Sequence, residues 1–195
     1  MKSENNIKMR NPETETTVAM GQLRESPDLT VQEPGRDTFP LSSSQSRIWF
    51  MENFNPEMTA YNLPLDYRIS GDLDIGVLEK TLTYLIGRHE SFRTIFFELN
   101  GEPVQKVLKS MPAKLPLVHL ENEPKDKIAI HTRQYSLENA GFKFNLETGP
   151  LFRFQLLILG KNEFIFLINI HHIISDFISL RIFLDEMKSV HGAPS

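Results

Sequence analysis

Residues 171–176 read His-His-Ile-Ile-Ser-Asp, which places two imidazoles and a carboxylate within six positions. An imidazole titrates near neutral pH and can take a proton from an attacking nucleophile. The run follows Phe164 to Ile170, an apolar stretch of strand length interrupted only by Asn169. Neighbouring side chains on a strand point to opposite faces. One histidine can therefore face a cavity while the other faces the core. That arrangement argues against both holding one metal, and no further ligand set accompanies them. Asp176 sits where a helix begins and is placed to accept backbone N–H bonds and orient the loop. The plainer reading of the run alone is a pair of ordinary polar residues at a strand end.

The elements that must position this run can be read from pattern. Ser42 can cap a helix running to about Phe54 that carries Ile48 and Trp49. Tyr61 to Ser70 alternates as a strand through Leu63, Leu65, Tyr67 and Ile69, and Gly71 ends it. Asp74 opens a helix with Leu78, Leu82, Leu85 and Ile86 on one face. Phe92 to Leu99 and Val104 to Leu108 flank Asn100-Gly101, a hairpin signal. Leu117 to Leu120 reads as a short strand and Lys125 to Asn139 as a helix. Leu151 to Leu159 and Glu163 to Ile170 are apolar almost throughout, as in central strands covered on both faces. A last helix starts near Asp176 with the stripe Leu180, Phe183, Leu184 and Met187. The mixture implies an α/β sandwich, a mixed β-sheet packed with helices.

Composition sets the outer limits. The chain has 195 residues, 40% of them hydrophobic, enough for one core. Its net charge of −4 gives no reason to expect nucleic acid as a partner. Cysteine is absent, which excludes disulfides, thiolate metal sites and cysteine nucleophiles and fits a reducing cytoplasm. No apolar run approaches the roughly 20 residues needed to span a bilayer. Residues 1–38 are polar and rich in Glu, Asn, Thr, Pro and Gly, and read as a disordered leader or linker. Residues 39–195 read as the folded unit.

Three stretches together carry a family resemblance. Ser42-Ser43-Ser44-Gln45-Ser46-Arg47-Ile48-Trp49 resembles the first core motif of the condensation domains of non-ribosomal peptide synthetases. Arg88-His89-Glu90-Ser91-Phe92-Arg93-Thr94-Ile95-Phe96 resembles the second, with Phe92 where the family has leucine. His171 to Asp176 resembles the third, His-His-x-x-x-Asp-Gly. They occur in the family's order, and the resemblance runs from about residue 39 to the end.

The resemblance implies one lobe of a chloramphenicol acetyltransferase-like fold, in which two lobes enclose a tunnel. In that family, donor and acceptor aminoacyl groups ride as thioesters on the phosphopantetheine arms of carrier proteins, and the acceptor amine attacks the donor. No cofactor is expected on the domain itself. His172 maps onto the catalytic histidine, which takes the amine proton or positions the amine. His171 maps onto a structural one. Asp176 maps onto an aspartate that holds its loop by a salt bridge to arginine, with Arg93 a candidate partner. Glu90 and Arg93 are expected to support the site floor, Arg88 to close its helix, and Ser42, Gln45 and Arg47 to support the site from the first motif. Phe177 stands where the family has glycine and can crowd the tunnel or redirect the loop. The later motifs and the C-terminal lobe are absent from the 195 residues, so the expected partners are carrier proteins and that lobe or downstream domains. Without that lobe the chain alone is expected to be inactive. The rivals are an inactive docking module, another His-x-x-x-Asp acyltransferase, or an epimerization domain. A heterocyclization domain has aspartates in place of His171 and His172 and is excluded.

Overall fold

The structure is a computed structural model and describes residues 38–191. The expected leader lies outside the described residues except at Thr38. The elements run β1 (Thr38–Pro40), α1 (Ser43–Phe54), β2 (Asn62–Ser70), α2 (Ile75–Arg88), a 3-10 turn (Glu90–Arg93), β3 (Thr94–Leu99) and β4 (Glu102–Val107). They continue with β5 (Leu117–His119), α3 (Lys125–Ala140), β6 (Phe152–Gly160), β7 (Glu163–His171) and α4 (Phe177–His191).

The strands make two sheets instead of one. The larger has the order β2-β7-β6-β5, antiparallel except for β5 beside β6. The smaller, β1-β4-β3, is antiparallel throughout. Its hairpin closes at Asn100 and Gly101, with φ of 55° and 83°. Two consecutive positive φ values suit the twist of paired strands, and glycine adopts the second at little cost.

Residues directly across an antiparallel pair share a face. The pairings Phe152↔Ile170, Phe154↔Ile168, Leu156↔Phe166 and Ile158↔Phe164 therefore build one apolar face from β6 and β7. Leu78, Leu82, Leu85 and Ile86 of α2 and Leu180, Phe183 and Met187 of α4 join the same core. Phe154 stacks on Phe183, with ring centroids 5.8 Å apart and planes 5° from parallel. The opposite face carries a smaller core of Leu120, Leu157 and Leu167, joined by Tyr135 of α3. Burial on both faces explains why β6 and β7 lack polar alternation.

That second face is also where the polar residues of β2 and β7 lie. Asn62 donates to the carbonyls of Ala140 and Phe142, at 2.7 and 2.8 Å. Buried Asn169 donates to the Asn139 carbonyl, and Asn139 to that of Ile168. The last carbonyls of a helix have no partner within it. Two asparagine amides from the sheet supply partners at the end of α3, which accounts for the interruption at Asn169.

The expected strand Phe92 to Leu99 begins later, at Thr94. Its first residues wind into the 3-10 turn, closed by the Thr94 hydroxyl donating to the Glu90 carbonyl at 2.9 Å. Phe92 still reaches the core, with its ring 5.5 Å from Phe152 and 5.2 Å from Phe183.

Candidate active site

His171 is the last residue of β7, and the chain turns immediately after it. The ladder persists as far as the turn. The His171 N–H donates to Leu151 O at 2.9 Å and the His172 N–H to Tyr61 O at 2.8 Å. Ile174 N–H then folds back onto the His171 carbonyl at 3.1 Å. Strand alternation sends the two imidazoles in different directions.

His171 shares a face with Asn62, its β2 neighbour, and is 2% exposed. Its Nε2 lies 3.1 Å from Oε1 of Glu52 in α1, and its Nδ1 accepts the Ile173 N–H at 3.3 Å. A carboxylate only accepts, so the ring proton is on Nε2 and the ring is neutral. Burial pushes the His171 pKa below the ordinary histidine value, against an opposing pull from Glu52. Tyr61 and Phe144 pack near the ring, at 6.4 and 5.9 Å between centroids.

His172 is exposed and lines an open cleft of about 740 Å³. Its Nδ1 lies 2.7 Å from the Ser175 carbonyl oxygen. A carbonyl can only accept, so Nδ1 carries the proton and donates it. In the neutral ring that leaves Nε2 with a lone pair able to take a proton.

Helix α1 forms the facing wall. Ser42 and Gln45 make a capping box: Ser42 Oγ accepts the Gln45 N–H at 3.2 Å, and Gln45 Oε1 accepts the Ser42 N–H at 2.9 Å. The amide of Gln45 also reaches Ile173 O at 3.4 Å. Ser42, Gln45 and Arg47 thus share the cleft with His172 and Asp176.

Asp176 caps α4. Its Oδ1 accepts the Ser179 N–H and the Ser179 hydroxyl, both at 2.7 Å. These bonds, the backbone one foremost, hold its carboxyl below the usual carboxylate range. Arg93 is not its partner in this structure. The Arg93 guanidinium instead donates to the Leu108 carbonyl, whose own N–H donates to Arg93 O at 2.8 Å.

The second motif lies apart from the cleft, since none of Arg88, Glu90 and Arg93 lines it. It ties α2 to α4 instead: Arg88 Nε and His89 Nε2 lie 3.6 and 2.5 Å from the Glu186 carboxylate. Glu90 contributes its carbonyl to the 3-10 turn, and its side chain is exposed. Phe177 opens α4, 76% exposed, beside a separate hollow lined by Leu63, Leu65 and Leu184. It is not among the residues that line the His172 cleft.

Glu52 is the site residue that pattern did not single out. It stands seven positions after Gln45, two turns along the same face of α1, and both reach the 171–173 segment. That spacing was its only signal in the sequence. Among the described residues no group of three or more histidine and acidic side chains is arranged to hold a metal ion. No helix there is long and apolar enough to cross a membrane.

Known proteins share both the sequence and the fold. The family model described as "Condensation domain" matches residues 35–193. A linear gramicidin synthase of Brevibacillus parabrevis is 40% identical over 181 residues, covering 92% of this chain and 4% of that protein. Bacitracin synthase 3 of Bacillus licheniformis is 33% identical over 171 residues, covering 87% of this chain and 2% of that one. The crystal structure of the starter condensation domain of rhizomide synthetase RzmA superposes with a TM-score of 0.71 at 24% identity, over 80% of this chain and 37% of that one. The last likeness shows the fold, the expected α/β lobe of a chloramphenicol acetyltransferase-like architecture. The chain thus spans a small part of these relatives.

Proposed function

The chain belongs to the condensation-domain family, and from that premise we propose that it supplies the histidine-bearing half of a site that joins two carrier-bound aminoacyl thioesters through an amide bond. The observation that carries the reading is the state of His172. Its Nδ1–H is committed to Ser175 O at 2.7 Å, and the ring stands in an open cleft with Nε2 available.

The chemistry requires little more of the protein. The acceptor amine attacks the donor thioester carbonyl, the C–N bond forms and the C–S bond breaks. Nε2 of His172 takes the proton that the nitrogen sheds, and the departing sulfur of the donor's phosphopantetheine arm receives a proton in turn. Such general acid–base help is typically worth about 100- to 10,000-fold. Holding both thioesters in one cleft contributes separately, through proximity. Asp176 and Gln45 act by shaping the loop and its facing wall. Arg88, Glu90 and Arg93 act further out, by fixing α2, α4 and the end of β4.

A second wall belongs across this cleft, and we assign it to a C-terminal lobe. Helix α1 contributes no fully buried residue, and Phe50 and Phe54, stacked at 6.4 Å, are 64% and 78% exposed. Apolar area of this kind marks a surface that another body covers. On this reading the 195-residue chain is inactive by itself and gains activity with the second lobe. The alternative, a module that only docks carrier proteins, predicts no product in either case. The test is formation of a dipeptidyl carrier from loaded donor and acceptor carriers, with and without the lobe. Product only with the lobe is expected; none in either arm refutes the reading.

A further inference from the structure

Two adjacent histidines in this chain hold opposite ring protons, and each is fixed by a different partner. His171 carries its proton on Nε2 toward Glu52, and His172 carries its own on Nδ1 toward Ser175 O. We propose that Glu52 is a positioning residue for His172, acting through the tautomer of His171. The proposal rests on the reading of His172 as the proton acceptor.

Burial makes the first demand. The Glu52 side chain is 13% exposed, and a carboxylate so nearly enclosed needs a hydrogen-bond donor. The Nε2–H of His171 is the donor the structure provides. Fixing hydrogen there leaves Nδ1 as an acceptor, and the Ile173 N–H occupies it at 3.3 Å. Without the carboxylate the ring is free to carry its proton on Nδ1. That proton would then face the Ile173 N–H, donor against donor, and the bond would break.

The consequence falls on His172 because it lies between the two residues so joined. On the other side of the loop, Gln45 reaches Ile173 O at 3.4 Å. Helix α1 thus holds the segment at two points, one through Gln45 and one through Glu52. Two turns separate these points, roughly 10 Å of helix. With the Glu52 point lost, the turn that brings Ser175 O to the His172 ring loosens. His172 Nδ1 then loses its fixed acceptor, and Nε2 no longer holds the lone pair in every molecule.

The test reads the rings directly. The full chain is labelled with 15N-histidine and its imidazole nitrogens are assigned at a pH where both rings are neutral. The unsubstituted chain is expected to show protonated Nε2 and bare Nδ1 at His171, and the reverse at His172. Glu52→Ala is expected to drive both rings toward mixed tautomers. Glu52→Gln keeps an oxygen that can accept the same proton and is expected to restore both. Unchanged His172 tautomers in a folded Glu52→Ala chain would overturn the proposal, as would a protonated Nδ1 at His171 in the unsubstituted chain. If the alanine variant does not fold, mixed tautomers in Glu52→Gln overturn it instead. The measurement involves no turnover, so a loss of tautomer order supports Glu52's role whether or not His172 is the base.

Discussion

Replacing His171 by leucine isolates the buried end of the site. The substitution removes the donor facing Glu52 and the acceptor of the Ile173 N–H, at 3.1 and 3.3 Å. Each partner is then left unsatisfied, at about 1–3 kcal/mol apiece, so the expected cost is about 2–6 kcal/mol. Against a total stability of about 5–15 kcal/mol that is a large share. At about 2–4 °C per kcal/mol for a domain of this size, it lowers Tm by roughly 4–24 °C. A matched pair of apolar residues relieves part of the cost, because replacing both members of a buried polar pair is far less damaging than orphaning one. The double variant Glu52→Leu/His171→Leu should therefore lose less than the sum of its two single variants. Urea unfolding followed by circular dichroism supplies all four corners of the cycle. Strict additivity, or a His171→Leu loss below about 0.5 kcal/mol, would refute the coupling, since contacting residues normally interact by more than that.

Two further outcomes follow from the same geometry. The pKa of His171 is lowered in the folded chain, so the unfolded chain binds this proton first; stability is full above the ordinary value of 6.5 and declines as pH falls below it toward the lowered folded value. Urea midpoints from about pH 8 to about pH 5 should show that decline, and it should be weaker in His171→Leu; an identical pH slope in both chains would contradict it. With Phe50 and Phe54 exposed, the chain without a covering lobe is expected to self-associate with rising concentration, and Phe50→Ser/Phe54→Ser to reduce that association in sedimentation velocity. Equal association before and after would clear α1 of that role.

Local pattern went furthest where each element's burial is decided by its own neighbours. Leu78, Leu82, Leu85 and Ile86 bury at helical spacing, and all four are core residues. Asn100-Gly101 specified its turn through the positive φ values only such residues adopt readily. The stretches of β6 and β7 read as doubly covered strands and are. Long-range partners were not legible. Glu52 and His171 are separated by 119 positions, and nothing in the residues of α1 says that its one acid, Glu52, will be enclosed against that histidine. Phe92 reads as a strand residue because it is apolar, yet the 3-10 turn points it into the same core. The Leu108 carbonyl that Arg93 meets is a backbone group, and side-chain type cannot announce it. For the same reason the first and third motifs converge on one cleft while the second serves the packing of α2 on α4.

The central claim is that the Nε2 of His172 takes the proton in amide formation. The direct measurement is the rate of dipeptidyl-carrier formation at saturating loaded carriers, in the chain joined to a C-terminal lobe, for His172 and for His172→Ala. The His172 ring is exposed, so the variant should keep its fold by circular dichroism. The expected rate is lower by about 100- to 10,000-fold. A well-folded His172→Ala protein that joins the two thioesters at the full rate would contradict the claim and leave proximity to carry the reaction.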